Sequence, residues 1–228
     1  MDISQMAWGP DVSHWHPVRN WDAFAASGAT FFAAKATEGA HTVDVQFERH
    51  RDGFRDHCPT FSMAVWYHMF HAEKDPVTQA EHFSDVVGPL APRERLCCDF
   101  EGVSYQHVDQ GAMRLHGLRY LEIFYARLES LGVLAGSRPL IYTSDRHWQA
   151  IADPVWPRAE SIGLWVPRYH SPEPKPPEKL PSPWSTWEVL QYTDGDAGLH
   201  RDIPGVGACD CNVLADQRSE AATSGGDA

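Results

Sequence analysis

The sequence predicts an α/β fold, specifically an irregular, TIM-like β/α barrel of eight strands with about five helices. Short apolar or alternating runs recur along the chain. In its first half helical patterns follow them, and this alternation predicts a parallel sheet covered by helices. Eight such runs are enough to close the sheet into a barrel. Helical patterns stop after residue 152, and the proline-rich segment 171–183 cannot form a helix interior. We therefore expect loops between the late strands.

The individual elements follow from the spacing of apolar residues, which differs between strands and helices. The predicted strands are Trp8–Ser13, Thr30–Thr37, Phe61–His68, Arg95–Phe100, Arg138–Thr143, Gly163–Arg168, Trp187–Tyr192 and Ala208–Val213. The predicted helices are Trp21–Ser27, Asp44–Asp56, Val77–Val87, Gln110–Leu131 and Ser144–Ala152. The fourth helix has the clearest pattern, because Leu118, Leu121 and Leu128 belong to an apolar stripe on one side.

The length and composition fit a single domain. A chain of 228 residues with 43% hydrophobic residues can bury a substantial core without dividing. We expect this domain to span residues 1–218 and to act as a monomer. The small, polar residues 219–228 are expected to form a disordered tail.

The charge balance limits the possible partners. The sequence has 31 acidic and 19 basic residues, a formal charge of −12, and no Lys/Arg cluster, so no nucleic-acid partner is expected. No apolar run approaches the roughly 18 residues of a membrane span, so no membrane insertion is expected. The N-terminus, Met1–Gln5, lacks the basic start and apolar stretch of a secretory signal, which predicts synthesis in the cytoplasm. The five cysteines are expected to be reduced.

The strongest local signal is a pair of carboxylates at the end of the fourth predicted strand. Side chains alternate along a strand, so Cys97, Asp99 and Glu101 are expected on one face, with the Cβ atoms of the two acids roughly 6–7 Å apart. Two like charges at that distance raise the pKa of one of them, which gives a general acid beside an ionised partner. Glycoside hydrolysis needs such a pair. A solvated strand end that simply carries two acids is the alternative interpretation.

Other predicted strands end at the same mouth of the barrel. Asp11 ends the first strand and Asp210 lies in the last, and these strands are neighbours in a closed barrel, so four acids could surround one cleft. A mouth of acids and aromatic rings suits a carbohydrate, although each aromatic taken singly is more often part of a core. We expect substrate contacts from Tyr67, Tyr142, Trp165, Gln191 and Tyr192.

Taken together, these segments resemble glycoside hydrolase family 25, the muramidase type of lysozyme. The resemblance covers about residues 8–214 and rests on eight motifs in the family's order. They are Gly9–Trp15, Lys35–Gly39, Trp66–His68, Asp99–Glu101, Leu140–Thr143, Leu164–Val166, Leu190–Thr193 and Asp210–Val213.

The resemblance implies hydrolysis of the β-1,4 bond between N-acetylmuramic acid and N-acetylglucosamine in bacterial peptidoglycan. By position, Glu101 would be the general acid/base, and Asp99 would orient the substrate's acetamido group as it attacks the anomeric carbon. Asp11 and Asp210 would support that pair and bind substrate. The protein would act on the bacterial cell wall, as a phage endolysin or as a bacterial wall-remodelling enzyme.

Three alternatives remain open from the sequence. His14 and His16 form an H-x-H pattern at the first strand end, which would indicate a metal-dependent hydrolase if further histidines such as His68 or His170 joined them. We expect no metal and no cofactor. A chitinase-like hydrolase of acetamido sugars also uses a D-x-E pair, but the residues before Asp99 lack its fuller run of acids. A carbohydrate-binding barrel without catalysis is the third alternative, and the four acids speak against it.

Overall fold

A computed structural model describes residues 6–134, 136–151, 155–169, 174–175, 177–195, 200 and 202–215. The strands are β1 (Trp8–Val12), β2 (Phe31–Glu38), β3 (Thr42–Val43), β4 (Met63–Met69), β5 (Glu94–Asp99), β6 (Leu140–Tyr142), β7 (Gly163–Pro167), β8 (Val189–Thr193) and β9 (Asp210–Leu214). The α-helices are α1 (Trp21–Ala25), α2 (Phe47–His57), α3 (Pro76–Val87), α4 (Gln110–Ser130) and α5 (Asp145–Trp148). Short 3-10 helices span Gly102–Tyr105, Gln149–Ile151 and Pro157–Ser161.

Eight of the strands close into a barrel, which confirms the predicted fold class. The strand order is β1-β9-β8-β7-β6-β5-β4-β2, and β1 also pairs in parallel with β2. Gly9 permits this closure, because a Cβ there would lie 1.7 Å from the carbonyl oxygen of Phe31. The additional strand β3 is a two-residue segment that pairs with the end of β2.

The prediction of a wholly parallel sheet is wrong at the last strand. β9 is antiparallel to both of its neighbours, β8 and β1, so the barrel is mixed. A parallel pairing requires a crossover, usually a helix, that returns the chain to the starting end of the sheet. The described residues between β8 and β9 form no helix. The predicted tail, residues 219–228, and parts of the proline-rich segment lie outside the described residues.

Alternating side chains divide the apolar residues into two layers. One set fills the barrel interior: Phe31, Ala33, Val65, Cys97, Leu140 and Val189. The residue that follows each of them packs outward against the helices: Phe32, Ala34, Trp66, Cys98, Ile141 and Leu190. The interior layer closes the barrel below the C-terminal ends of the parallel strands. A cleft is therefore left at that end, where barrel enzymes place their catalytic groups.

Polar N-cap residues precede three of the helices that lead the chain away from this cleft. The Asn20, Asp75 and Asp109 side chains accept hydrogen bonds from the first turns of α1, α3 and α4, which satisfies N–H groups that a helix leaves unpaired. All five cysteines are buried free thiols. Within the described residues, no helix combines the length and the apolar character needed to cross a membrane.

Candidate active site

A cleft with a cavity of about 270 Å³ opens at the C-terminal ends of the parallel strands. Its lining contains all four predicted acids, three tyrosines and two tryptophans. The lining residues are Asp11, Ser13, Trp15, Lys35, Tyr67, Met69, Asp99, Glu101, Tyr142, Trp165, Tyr169, Gln191 and Asp210.

The end of β5 places Asp99 and Glu101 in this cleft. The predicted alternation is observed, because Phe100 between them is fully buried in the outer apolar layer. A local turn fixes the two acids relative to each other. The Glu101 backbone N–H donates to Ser104 Oγ at 3.1 Å, and Ser104 Oγ–H donates to the Asp99 carbonyl oxygen at 3.2 Å. The carboxylate pair therefore projects from a braced backbone.

The two acids differ in burial and in their partners. Asp99 is buried, and its Oδ1 atom has no hydrogen-bond partner among the described residues. Burial, and then the charge of Glu101, raise the pKa of Asp99 well above its usual range. Glu101 is partly exposed, and burial raises its pKa as well. A buried carboxylate oxygen without a donor is costly to keep charged, so a substrate N–H at that position would stabilise it.

Lys35, the first residue of the Lys35–Gly39 motif, also lies in this cleft. Its side chain is only 15% exposed, and it is the one cationic group among the described residues that line the cleft. Lys35 Nζ pairs with Glu38 at 2.5 Å, and Glu38 also contacts His71 Nε2 at 3.1 Å. The lysine charge opposes the rise in the pKa of both Asp99 and Glu101. A lone lysine on the inward face of an apolar strand was the available signal.

Gln191 connects the acids on the opposite wall of the cleft. Its Nε2 donates to Asp11 Oδ2 and to Asp210 Oδ2, both at 3.0 Å. Its Oε1 accepts from the hydroxyls of Tyr142 at 2.7 Å and Tyr169 at 2.5 Å. Protein groups thus occupy the two donor and two acceptor positions of this amide. Gln191 lines the cleft, its predicted contact with substrate stays a prediction, and its hydrogen bonds also suit it to positioning these four neighbours.

Burial raises the pKa values of the two acids bound by Gln191. The pKa of Asp11 rises to about 6, although hydrogen bonds from Asn212 and Gln191 act in the opposite direction. The pKa of Asp210 rises to about 8 because of burial and then the neighbouring charge of Asp11. These groups therefore retain protons at pH values where exposed aspartates are ionised.

Tyr67, Tyr142 and Trp165 form an aromatic wall, as the sequence predicted. The Trp165 ring meets the edges of Tyr67 and Tyr142, with ring centroids 6.2 and 5.4 Å apart. Tyr67 OH donates to the Val12 carbonyl oxygen at 3.3 Å. Trp165 Nε1 donates to Asn212 Oδ1 at 2.8 Å, which fixes the indole.

Tyr192 was predicted to bind substrate, and the structure places it elsewhere. Successive residues of a strand face opposite sides, and Gln191 faces the cleft. Tyr192 is consequently buried in the outer apolar layer, where its hydroxyl contacts His200. Trp15 and Tyr169 also line the cleft, although no strand pattern in the sequence predicts this. Both lie in loops after strand ends, where no periodicity indicates the direction of a side chain.

The histidines considered as metal ligands are not brought together. His14 Nδ1 pairs with Asp44 Oδ2 at 2.8 Å, and His16 is exposed. His68 is buried between the barrel and the helices, where its ring packs against Phe124 and its Nδ1 contacts Thr37 Oγ1 at 2.7 Å. His170 lies outside the described residues. In the described part of the chain, no three His, Cys, Asp or Glu side chains are arranged to hold a metal ion.

A closed barrel with carboxylates at the ends of its strands is typical of β/α-barrel glycoside hydrolases. The sequence model described as "Glycosyl hydrolases family 25" matches residues 10–198. The chain belongs to this family.

Solved structures show the same fold at low sequence identity. The lysozyme from Streptomyces coelicolor is 22% identical over 95% of both chains, with a TM-score of 0.74. A family GH25 lysozyme from Aspergillus fumigatus is 22% identical over 96% of this chain and 98% of that one, with a TM-score of 0.75. The catalytic domain of endolysin ply40, from bacteriophage P40 of Listeria monocytogenes, is 19% identical over 93% and 94%, with a TM-score of 0.64. A comparison with curated proteins gave no match.

Proposed function

We propose that this protein is a lysozyme, an N-acetylmuramidase that hydrolyses the β-1,4 bond between N-acetylmuramic acid and N-acetylglucosamine in peptidoglycan. One observation carries the proposal: the buried, unpartnered Oδ1 of Asp99 lies in the same cleft as Glu101, two residues further along. Such an oxygen suits the N–H of an acetamido sugar, and Glu101 suits proton transfer to the glycosidic oxygen. The lysozymes and the endolysin among the structural neighbours support the same substrate class.

The reaction proceeds with the substrate's own acetamido group as nucleophile. Its carbonyl oxygen attacks the anomeric carbon while Glu101 donates a proton to the departing glycosidic oxygen. Asp99 accepts a hydrogen bond from the acetamido N–H and stabilises the cyclic cation that forms. Glu101, now ionised, takes a proton from water. The water oxygen attacks the anomeric carbon and breaks its bond to the acetamido oxygen, which opens the cyclic cation. Each cycle returns the proton to Glu101, and the configuration is retained.

Substrate binding also determines which of the two acids is protonated. In the free protein, burial raises the pKa values of both Asp99 and Glu101 and so favours their neutral forms. A donor at Asp99 Oδ1 favours the charged form of that aspartate. The proton of the pair then resides on Glu101, where the leaving group needs it. Lys35 assists by stabilising negative charge beside both acids.

A side-by-side digestion tests the proposal against its two alternatives. Purified peptidoglycan and chitin are each incubated with the protein. New reducing ends are reduced to alditols with borohydride, and the products are analysed by mass spectrometry. A muramidase yields muramitol ends from peptidoglycan. Chitin oligosaccharides with intact peptidoglycan would instead support the chitinase-like alternative. Binding to peptidoglycan without new ends would support a non-catalytic barrel. Glu101→Gln serves as the control for contaminating hydrolases.

The site of action follows from the substrate. Peptidoglycan occurs in the bacterial cell wall, so the protein acts there whether it is a phage endolysin or a bacterial wall-remodelling enzyme. The formal charge of −12 disfavours general attraction to an anionic wall at neutral pH. Recognition therefore depends on the cleft and on local contacts around it.

A further inference from the structure

Trp15 combines two properties that the proposed reaction does not explain. Its side chain lines the same cleft as Asp11 and Asp99. It is also 76% exposed, although tryptophan carries a large apolar surface. The neighbouring His14 ring is tilted by 39° from the indole, with centroids 4.6 Å apart, so it does not cover a face by parallel stacking. The indole thus presents apolar surface toward the open end of the cleft.

The loop that carries Trp15 is held in place by hydrogen bonds. Asp44 Oδ2, on a fully buried side chain, accepts from the His14 backbone N–H at 3.0 Å and contacts His14 Nδ1 at 2.8 Å. The Trp15 backbone N–H donates to Ser13 Oγ at 3.3 Å, and the His16 N–H donates to the Ser13 carbonyl oxygen at 3.1 Å. A fixed position lowers the entropy cost of using the indole as a binding surface.

The size of the cleft shows why a surface beyond it is needed. Its cavity of about 270 Å³ lies just below the range of roughly 300–1,000 Å³ for pockets that enclose a whole drug-sized ligand. A glycan strand is a polymer, so sugars on either side of the cleaved bond must extend past this cavity. Flat aromatic faces suit the apolar C–H face of a sugar ring, and the Trp15 indole is the strongly exposed aromatic ring of this cleft, whereas Tyr142 and Trp165 are buried.

We propose that Trp15 forms an outlying sugar subsite, on which a hexosamine of the bound glycan strand stacks outside the enclosed cleft; this rests on the proposed muramidase function. The glycan is favoured over the peptide stem as occupant, because Trp15 lines the same cleft that holds the reacting sugar, and the next sugars of the strand extend from there. The subsite adds affinity for long strands and contributes less to cleavage of the shortest ones.

The test compares Trp15→Ala, Trp15→Phe and the parent on peptide-free peptidoglycan oligosaccharides of increasing length. For the longest oligomers, Trp15→Ala should raise KM about tenfold with little change in kcat. A change of this size is expected when one modest binding contact is lost. The effect should shrink for the shortest cleavable oligomer, and Trp15→Phe should recover most of it. Leu131→Ala is the matched control, because Leu131 is an exposed apolar residue just past α4, at the other end of the barrel.

Three results would overturn this subsite. They are an equal loss at every oligomer length, a loss seen only on peptide-bearing strands, and an equal loss in Leu131→Ala. Calorimetric binding of the same oligomers to Glu101→Gln, with and without Trp15→Ala, gives a readout that does not require turnover. If the parent cleaves no oligomer, the muramidase proposal fails. The subsite is then judged separately by whether length-dependent binding disappears with the indole.

Discussion

Asn212 donates a hydrogen bond from Nδ2 to Asp11 Oδ2 at 2.7 Å, and so links the last strand of the barrel to the first. The same oxygen also accepts from Gln191, so two amide groups converge on one carboxylate oxygen. These donors favour the charged form of Asp11, whereas burial favours the neutral form and prevails, which leaves its pKa at about 6. Barrel closure thus determines the environment of a cleft carboxylate as well as the shape of the fold.

Glu101→Gln should remove nearly all turnover without unfolding the protein. Glutamine keeps the shape of the side chain but cannot transfer the proton, and loss of general acid/base catalysis costs roughly 10²–10⁴-fold or more. Initial rates on purified peptidoglycan measure the effect, and thermal unfolding checks the fold. Glu73→Gln is a matched control, because Glu73 is not among the residues that line the cleft and contacts His71 Nδ1 at 3.1 Å. Activity of Glu101→Gln within a factor of two of the parent would refute the assignment.

Asp99→Asn should also be severely impaired, and the parent should retain the anomeric configuration. The asparagine side chain could still meet an acetamido N–H, but it cannot neutralise the cation that forms during attack. NMR of the first-formed reducing end in the parent reaction should show the β-anomer. Initial appearance of the α-anomer would mean that water attacks directly from the opposite face, with Asp99 in a different role.

The parts of this site that the sequence predicted correctly depend on local alternation. That rule predicts that Asp99 and Glu101 share one face at the end of β5, and it equally predicts that Gln191 and Tyr192 face opposite sides of β8. The antiparallel direction of β9 has no local signal, because it depends on the connection rather than on the strand. Trp15 lies in a loop whose direction is fixed by distant Asp44. Such contacts are tertiary, and no spacing in the sequence predicts them.

Lys35→Met should shift the pH–rate profile toward higher pH. Lys35 holds down the pKa values of Asp99 and Glu101, so both should rise when its charge is removed. Both limbs of the kcat/KM profile report the interacting pair Asp99 and Glu101 in the free enzyme, so both limbs should move in the same direction. Lys35→Arg retains the charge and should preserve both limbs. An unchanged profile with uniformly lower rates would indicate that Lys35 only supports the fold.

Asp210→Asn should stabilise the protein at pH 8 and have little effect at pH 4, while lowering activity. The folded pKa of Asp210 is about 8, against a usual value of 3.8. The folded state therefore binds a proton that the unfolded chain releases between these values. The contribution of Asp210 protonation to the free energy of unfolding is fully present below pH 3.8 and is lost as the pH rises through about 8. Asparagine can still accept the hydrogen bond from Gln191 and adds no charge beside Asp11.

Calorimetric unfolding at both pH values measures this difference. At pH 8 we expect the melting temperature of Asp210→Asn to exceed that of the parent by about 2–4 °C, the effect of about 1 kcal/mol in a domain of this size. An equal difference at pH 4 and pH 8 would show that the substitution acts through packing and not through ionisation.

Burial alters how the 13 histidines affect the net charge. If all of them titrated near the reference pKa of about 6.5, the protein would become slightly positive in mild acid. His50 and His68 are buried, and desolvation lowers their pKa values to about 4 and about 3. With these two neutral, protonating the other histidines brings the formal charge close to zero, and the raised pKa values of Asp11 and Asp210 remove further negative charge in mild acid. Mild acid therefore weakens repulsion from an anionic wall.

Salt should consequently raise activity on intact walls at pH 7.5, where the protein is strongly negative, with a formal charge of −12 when its histidines are neutral. At 0.15 M ionic strength charges are screened beyond about 8 Å, so added salt weakens long-range repulsion while leaving proton transfer within the cleft almost unchanged. The stimulation should be smaller at pH 5.5, where protonated histidines have already reduced the negative charge. A short, neutral glycan oligosaccharide provides the control, because its cleavage involves no long-range repulsion and should respond little to salt at either pH. Initial rates on both substrates across a salt series make the comparison. If salt instead lowers wall activity at pH 7.5, a local basic surface must attract the wall despite the net charge, and the repulsion argument fails.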